Sequence, residues 1–196
     1  MVVVGSLFAT YRSFSYGLRN YAGVTLGVTR GEVRYRLGSP PVVFGKASDD
    51  PTGPWGKYQP VYFVDPKRDP INQLPKGTTD EDYDEWSYEP SDVSSINVKF
   101  DTKSNRVISV GCFDFSLTHS DCPPLLGVIS GASEEALLKR LGKPTREVLD
   151  QEAKTVHYDD LGAAFVLKRS RVYGFGLEKQ DVRSGAIMSR ILMGLF

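Results

Sequence analysis

The sequence predicts an α+β protein built from two repeats, each a short helix followed by antiparallel strands, with the helices packed on one face of the sheet. Three observations lead to this prediction. The 196 residues include 24 basic and 24 acidic side chains and 40% hydrophobic residues, a composition typical of a globular protein with a buried core. One glycine-rich segment recurs 104 positions further along the chain. Alternating apolar residues follow each copy, as in half-buried strands.

The internal repeat aligns residues 23–40 with residues 127–144. Seven of the 18 aligned positions are identical, whereas unrelated sequences would share about one at average amino-acid frequencies. Three of the identities are glycines and one is a proline, the residue types that mark turns and helix ends. Chance is therefore a poor explanation of the match.

The start of the chain, residues 1–22, is predicted to contain an amphipathic helix over residues 5–21. Its apolar residues recur every three or four positions, as on one face of a helix: Leu7, Tyr11, Phe14, Leu18 and Tyr21. The first nine residues are apolar but follow no basic segment, so they do not make a complete secretory signal. The end of a removed signal or anchor is the alternative interpretation.

Each repeat should begin with a short helix that is defined by its end residues. Thr29 and Ser133 occupy N-cap positions, where a hydroxyl accepts a hydrogen bond from an unpaired backbone N–H. Gly38 and Gly142 occupy the C-terminal ends, where a left-handed residue closes the helix. A proline follows two positions after each glycine and prevents further helix. We therefore expect positive φ at both glycines.

Strands should complete the first repeat, residues 23–117, and the second, residues 127–180. The first repeat differs by a long inserted loop, residues 45–85, within which residues 58–64 can add an edge strand. The acidic run at residues 80–85 raises the possibility of a calcium site. Because the alternation of oxygen ligands around a turn glycine is missing, a solvated loop is preferred, and no metal site is predicted.

Alternation divides the predicted hairpins into two faces. The apolar face should be covered by the helices: Ile96, Val98, Phe100, Ile108, Val110, Phe165, Leu167, Tyr173, Phe175 and Leu177. The opposite face carries small and polar residues: Asn97, Lys99, Ser109, Gly111, Gly174 and Gly176. Small side chains would leave an open trough in which a loop or strand of a partner can approach the backbone. The alternative is that the glycines only let the sheet bend.

The two cysteines lie ten positions apart, Cys112 at the end of the first repeat and Cys122 in the linker, residues 118–126. In an exported protein such a pair is expected to form a disulfide. A buried thiol at Cys112 is the alternative, because this residue continues an apolar alternation. His119 and Asp121 lie in the same segment, but catalytic groups are brought together by a fold rather than by adjacency. No catalytic or cofactor site is predicted.

The C-terminal tail, residues 181–196, is predicted to be amphipathic, with its apolar residues on one helical face: Ile187, Met188, Ile191, Leu192 and Leu195. Packing against the core is the favoured interpretation, and contact with a membrane surface or a partner is the alternative. The formal net charge of zero argues against general nucleic-acid binding. Membrane contact is expected only through this tail or through an N-terminal anchor that is missing from the sequence.

Residues 23–40 and residues 127–144 share one pattern. Each begins with G-x-x-x-G-x-[ST], has an apolar residue four positions after the Ser or Thr, and ends with R-L-G-x-P. With the strands that follow, this pattern resembles the BamE (SmpA/OmlA) family of outer-membrane assembly lipoproteins. The tandem layout is similar to that of the secreted β-lactamase inhibitor proteins. The resemblance implies an envelope or secreted location and a binding, non-catalytic role. The lipidated cysteine of the family has no counterpart near residue 1.

From the resemblance we expect a non-enzymatic protein of the bacterial cell envelope or periplasm that binds another protein or serves as a scaffold. A link to outer-membrane assembly or maintenance is the expected role. The alternative is a secreted or periplasmic enzyme inhibitor.

Overall fold

A computed structural model describes residues 18–45, 60–91, 93–114, 116, 121–150 and 153–179. Its regular structure is mainly β. The strands are β1 (Asn20–Tyr21), β2 (Val24–Thr25), β3 (Val42–Phe44), β4 (Val61–Phe63), β5 (Glu85–Ser91), β6 (Ser94–Phe100), β7 (Val107–Asp114), β8 (Arg146–Asp150), β9 (Ala153–Tyr158), β10 (Ala163–Lys168) and β11 (Arg171–Glu178). The helices are α1 (Arg30–Leu37) and α2 (Glu134–Leu141), and short 3₁₀ turns cover Asp80–Asp82 and Asp159–Leu161.

Nine of these strands form one antiparallel sheet in the order β4-β3-β5-β6-β7-β11-β10-β9-β8. Strands β7 and β11 pair at its centre and join the two repeats. On either side of this pair the remaining strands follow in matching order, and β4 is an extra strand outside β3. Strands β1 and β2 form a separate small hairpin.

The predicted α+β class, with repeated helices packed on the sheet, is wrong, because the protein is mostly β. Each helix has eight residues and therefore spans only about 12 Å. Val33 is the only apolar residue that α1 buries, and Leu137 is the only residue that α2 buries. The capping pattern showed where each helix begins and ends, but it carried no information about the share of the core that the helix supplies.

Side chains of the sheet supply most of the core instead, and the largest fully buried ones are aromatic. Trp86 and Phe100 meet edge to face with ring centroids 4.8 Å apart. Phe165 and Phe175 lie 5.9 Å apart in the second repeat. All four are almost completely buried, so the sheet rather than the helices accounts for most of the hydrophobic stabilisation.

The internal repeat recurs as matching hydrogen bonds. Arg106 donates from Nη1 to the carbonyl of Gly27 at 2.7 Å, and Arg171 donates from Nη1 to the carbonyl of Gly131 at 2.9 Å. The N–H groups of the same two glycines donate to equivalent strands, each at 2.8 Å. The identical glycines therefore hold equivalent places in two copies of one backbone plan.

Both helices begin at the predicted N-cap residues. Thr29 and Glu32 form a reciprocal capping box, in which the Thr29 N–H donates to Glu32 Oε2 at 2.8 Å. Hydrogen bonds from the backbone and side chain of Thr29 hold the pKa of Glu32 below its usual range. In the second repeat the Ser133 hydroxyl accepts from the N–H of Ala136 at 3.2 Å. Both N-cap predictions are confirmed.

Both helices also end at the predicted glycines, although not in the predicted conformation. Gly38 has φ 85° and ψ −171°, and Gly142 has φ 78° and ψ −163°. Positive φ is confirmed, but with ψ near 180° these residues lie outside the left-handed helical region, in a region that is almost exclusive to glycine. Tyr88 and Tyr158 donate their hydroxyls to the two glycine carbonyls at 3.2 and 3.0 Å, which fixes the peptide orientation.

The predicted N-terminal helix over residues 5–21 is wrong at its end, since Asn20–Tyr21 forms β1. Residues 1–17 lie outside the described part of the chain. Ala22 and Gly23 both have positive φ, 49° and 80°, as in the tight turns that join short antiparallel strands. This turn, rather than helical periodicity, decides the structure of residues 20–25.

Two residues of the predicted apolar face are displaced by bulges. In the β6–β7 pairing a register shift places Val107 in the core, and Ile108 is only half-buried. In the β10–β11 pairing a second shift places Tyr173 beside Phe113 in a separate cluster, with ring centroids 6.3 Å apart. The predicted core positions of Ile108 and Tyr173 are wrong because alternation cannot be counted through a bulge.

The predicted edge strand over residues 58–64 is confirmed at Val61–Phe63, which form β4 at one edge of the sheet. Residues 46–59 of the inserted loop, residues 117–120 at the linker, and the predicted tail over residues 181–196 lie outside the described residues. Within the described part of the chain, no helix has the length and hydropathy to cross a membrane.

Candidate binding surfaces

A disulfide joins Cys112 of β7 to Cys122, with Cα atoms 5.7 Å apart. Both cysteines lie in the main hydrophobic core, so the predicted disulfide also satisfies the apolar alternation that suggested a buried thiol. A bonded cysteine has no thiolate, and Cys112 in this state cannot act as a nucleophile. His119, the imidazole of the rejected catalytic segment, lies outside the described residues.

The predicted partner face is a true face of the sheet, but it is not an open trough. One row of register partners crosses eight strands of this face: Val42, Ser87, Asn97, Gly111, Gly176, Ala164, His157 and Arg146. Of the six predicted contact residues only Lys99 is half-buried, and the others are buried: Asn97, Ser109, Gly111, Gly174 and Gly176. The prediction of an exposed face is therefore wrong.

Close packing explains the glycines of this face. A Cβ at Gly174 would lie 2.4 Å from the ring of Phe113, and a Cβ at Gly176 would lie 2.5 Å from the carbonyl oxygen of Val110. At Gly111 the nearest atom would be the carbonyl oxygen of Phe175, at 3.2 Å. The glycines thus make room for a ring and for neighbouring backbone, and a bulky charged residue at Gly174 would test folding rather than binding.

The two halves of this face differ in polarity. The first-repeat half buries a row of polar residues: Glu85, Ser87, Ser95, Asn97 and Ser109. Lys99 Nζ lies 3.9 Å from Glu85 Oε2 in this half. A small apolar cluster joins Phe113 of β7 to Ala164, Val166 and Tyr173 of the second repeat. The second-repeat half buries two polar residues, Thr155 and His157. At equivalent positions, the first-repeat half therefore buries more polar side chains than the second-repeat half.

Asn97 is the least satisfied polar residue of the row. It is 4% exposed, and neither Nδ2 nor Oδ1 has a hydrogen-bond partner. His157, four positions along the row, has an unpartnered Nε2, while its Nδ1 lies 3.6 Å from Glu178 Oε2. Because buried polar atoms are usually hydrogen-bonded, the Asn97 amide is a site of local energetic cost.

The acidic run of the inserted loop binds helix α1. Arg34 pairs with Asp80 at 2.8 Å and with Glu81 at 2.7 Å, and Arg30 lies 3.3 Å from Asp84. Arg30 is 5% exposed, so this contact belongs to the interior of the molecule. The prediction of a loop that is only solvated is therefore wrong, because Asp80, Glu81 and Asp84 pair with arginine side chains, and this pairing gives no support to a calcium site.

Aromatic rings complete this contact. The guanidinium carbon of Arg30 lies 4.7 Å from the ring centroid of Phe100, and that of Arg34 lies 5.2 Å from the centroid of Trp86. Trp86 Nε1 donates to the carbonyl of Asp80 at 2.9 Å. Cation–π contacts and hydrogen bonds thus fix the inserted loop to the first repeat. Sequence reasoning missed this cluster because about fifty positions separate the arginines from the acidic run.

An ordered turn of the inserted loop presents Ile71, which is 87% exposed. Asp69 Oδ1 accepts from the N–H groups of Ile71 and Asn72 at 2.7 and 3.0 Å, and Asp69 Oδ2 accepts from Asn72 Nδ2 at 2.9 Å. These bonds from Asn72 and Ile71 hold the pKa of Asp69 below its usual range. The Phe63 N–H donates to the carbonyl of Asn72 at 2.8 Å, which ties the turn to β4.

Sequence reasoning also missed this turn, although its signal was present. Asp69 is followed by proline and, three positions later, by Asn72, and this is a composition in which an aspartate side chain accepts bonds from the following backbone. The turn therefore holds one apolar side chain, that of Ile71, in an exposed position.

Comparison with protein-family models found no family that matches the chain, and comparisons with curated proteins and with solved structures found no match.

Proposed function

We propose that this chain is a non-enzymatic protein-binding or scaffolding protein of the bacterial cell envelope, linked to outer-membrane assembly or maintenance. The observation that carries the proposal is the Asp69 turn. Its hydrogen bonds fix the backbone, and its exposed Ile71 can enter an apolar pocket on a partner. Burial of an apolar side chain from a pre-organised loop loses little conformational entropy, which favours binding.

The disulfide supports the envelope part of the proposal. Disulfides persist in oxidising compartments such as the periplasm and are rare in reducing ones. The bond between Cys112 and Cys122 also removes the one thiolate around which a nucleophilic site had been considered. The resemblance to the BamE family remains a separate sequence argument for the same role.

A secreted or periplasmic enzyme inhibitor is the second candidate function. The same turn favours it, because a rigid loop with an apolar tip can fill the cleft of an enzyme without being ordered on binding. The two functions differ in the partner that Ile71 would contact, and a test must therefore identify that partner.

Site-specific photo-crosslinking tests both candidates. A photoreactive phenylalanine analogue is placed at Ile71 and, as a matched control, at Tyr35, which is 92% exposed on α1. After incubation with a bacterial envelope extract, adducts are identified by mass spectrometry. We expect an outer-membrane assembly component at position 71 and not at position 35. A soluble hydrolase at position 71 would favour the inhibitor, and equal labelling at both positions would refute the proposal.

A further inference from the structure

Strand β8 (Arg146–Asp150) forms the edge of the sheet in the second repeat. It pairs with β9 on one side, and within the described residues no strand lies on its other side. Leu149 is 80% exposed, and Glu147 is also exposed. An exposed edge offers unpaired backbone N–H and C=O groups to another strand.

The first repeat shows how such an edge is filled. Strand β3 occupies the place of β8, because Val43 is the register partner of Trp86 as Glu147 is the partner of Val156. Strand β4 pairs antiparallel with the outer side of β3. The inserted loop therefore supplies, within the chain, the kind of strand that β8 lacks in the described part of the second repeat.

The same correspondence indicates which backbone groups of β8 face outward. At β3, Gly45 donates its N–H towards the β4 side at 2.7 Å, and the carbonyl of Pro41 accepts from that side at 3.0 Å. Since alternate residues of a strand point their backbone groups in the same direction, Val43 also faces β4. Glu147 and Leu149 hold the equivalent places and direct their backbone groups away from β9.

We propose that two copies of this chain pair antiparallel through β8 and form one continuous sheet, with a two-fold axis at Val148. In this register Glu147 lies opposite Leu149 of the second copy, so the outward backbone groups of both residues form hydrogen-bonded pairs. Val148 meets Val148 of the second copy on the axis. The inference concerns self-association and is independent of the proposed binding function.

Charge favours a second copy over an unrelated strand. The same register places Arg146 opposite Asp150 on both sides of the axis, and opposite charges across a strand pair stabilise it. A shift of the register that aligned Glu147 with itself would oppose like charges. Charged residues usually protect an edge strand from pairing. In β8, however, antiparallel pairing with a second copy brings basic and acidic residues opposite each other.

Sedimentation velocity over roughly 1 µM to 1 mM tests this proposal, because an interface of one five-residue strand is small and the dimer should be weak. We expect a dimer fraction that rises with concentration. Glu147→Pro removes an outward N–H without removing a bond to β9, and it should abolish the dimer. Val61→Pro, on β4 at the other edge of the sheet, is the matched control and should leave dimerisation unchanged.

A charge exchange provides a second test, which does not depend on the fold tolerating proline. Arg146→Asp or Asp150→Arg alone should lower the dimer fraction several-fold, and the double variant should restore it. A chain that stays monomeric at every concentration would overturn the proposal. So would a dimer that survives Glu147→Pro in folded protein, or a charge exchange without rescue.

Discussion

The two repeats share one backbone plan, but different side chains pack against their helices. In the first repeat, Arg30 and Arg34 of α1 face the acidic run of the inserted loop, whereas Glu134 and Leu138 occupy the equivalent places of α2. Glu134 bonds instead to Lys154 of β9. The second repeat has no comparable insertion, and Leu138 remains 37% exposed.

This difference separates two kinds of residue. Glycines and capping residues recur because the backbone geometry of each copy requires them. Helix surface residues change because they match what packs on the helix. This is the inserted loop in the first repeat, whereas in the described part of the second repeat Glu134 pairs with Lys154 and Leu138 is partly exposed. The insertion therefore supplied both a strand outside β3 and a set of carboxylates for α1, and the arginines match those carboxylates.

The largest expected effect comes from exchanging one residue between the repeats. Arg30→Glu places a carboxylate among Phe100, Asp84 and the carbonyl of Glu81, where Arg30 is 5% exposed. A buried charge without a partner should lower the free energy of unfolding by about 3 kcal/mol or more. Chemical denaturation followed by circular dichroism measures this change.

The reverse exchange is the control for this asymmetry. Glu134→Arg loses the partly exposed pair with Lys154, and such pairs contribute about 0–1 kcal/mol. A similar loss of stability in both variants would show that the inserted loop does not distinguish the two helices.

Removal of the disulfide should have the next largest effect. Replacing Cys112 and Cys122 by alanine opens a loop of ten residues, and the chain-entropy model gives a loss of about 2–3 kcal/mol.

The second repeat has a leucine in the place of Cys112. Leu177 is fully buried on β11 and has no crosslink. Trimming Leu177→Ala should instead cost the transfer and cavity free energy of a leucine, about 2–5 kcal/mol.

Reduction separates the contribution of the crosslink from that of the packing of the cysteine side chains. A reducing agent should lower the denaturation midpoint of the natural chain and leave that of the double alanine variant unchanged. If the reductant shifts neither midpoint, the crosslink adds nothing to the stability of the first repeat.

The helix-end glycines provide a test in which the repeats should respond alike. Gly38→Ala and Gly142→Ala introduce a Cβ that meets no atom within 4 Å, so any cost arises from the backbone conformation. We expect each to lower stability by about 1 kcal/mol or more, because alanine disfavours positive φ. Denaturation midpoints should shift by similar amounts, and a shift in only one variant would contradict the equivalence of the two helix ends.

These local features were predictable because each depends on neighbouring residues only. Thr29 needs Glu32 three positions later, and Gly38 needs a proline nearby to mark a helix end. The single sheet was not predictable, since pairing Cys112 with Phe175 joins strands from different repeats, and each repeat was equally free to form a separate sheet.

The predicted binding face failed for a related reason. Period-two alternation correctly placed Asn97 and Gly111 on the face opposite the core, but alternation does not report whether that face is covered. The turn at Ile71, which carries the proposed function, has a readable turn composition. Its exposure, however, depends on the tie to β4 and was visible only in the folded chain.

The smallest expected effect concerns Asn97, whose place is filled by Ala164 in the second repeat. Ala164 is fully buried in an apolar cluster, whereas both polar atoms of the Asn97 amide are buried without a partner. Asn97→Ala copies the second repeat and removes this desolvated amide. Loss of packing offsets part of the gain, so stability should be unchanged or rise by up to about 1 kcal/mol.

The opposite exchange sharpens the comparison. Ala164→Asn introduces an amide beside Val166 and Phe113, where burial without hydrogen bonds should cost about 1–3 kcal/mol. Equilibrium denaturation of both variants tests the pair together. Destabilisation by more than about 1 kcal/mol in Asn97→Ala would mean that the amide contributes favourable interactions. The buried polar residues of the first repeat would then stabilise the fold rather than cost free energy.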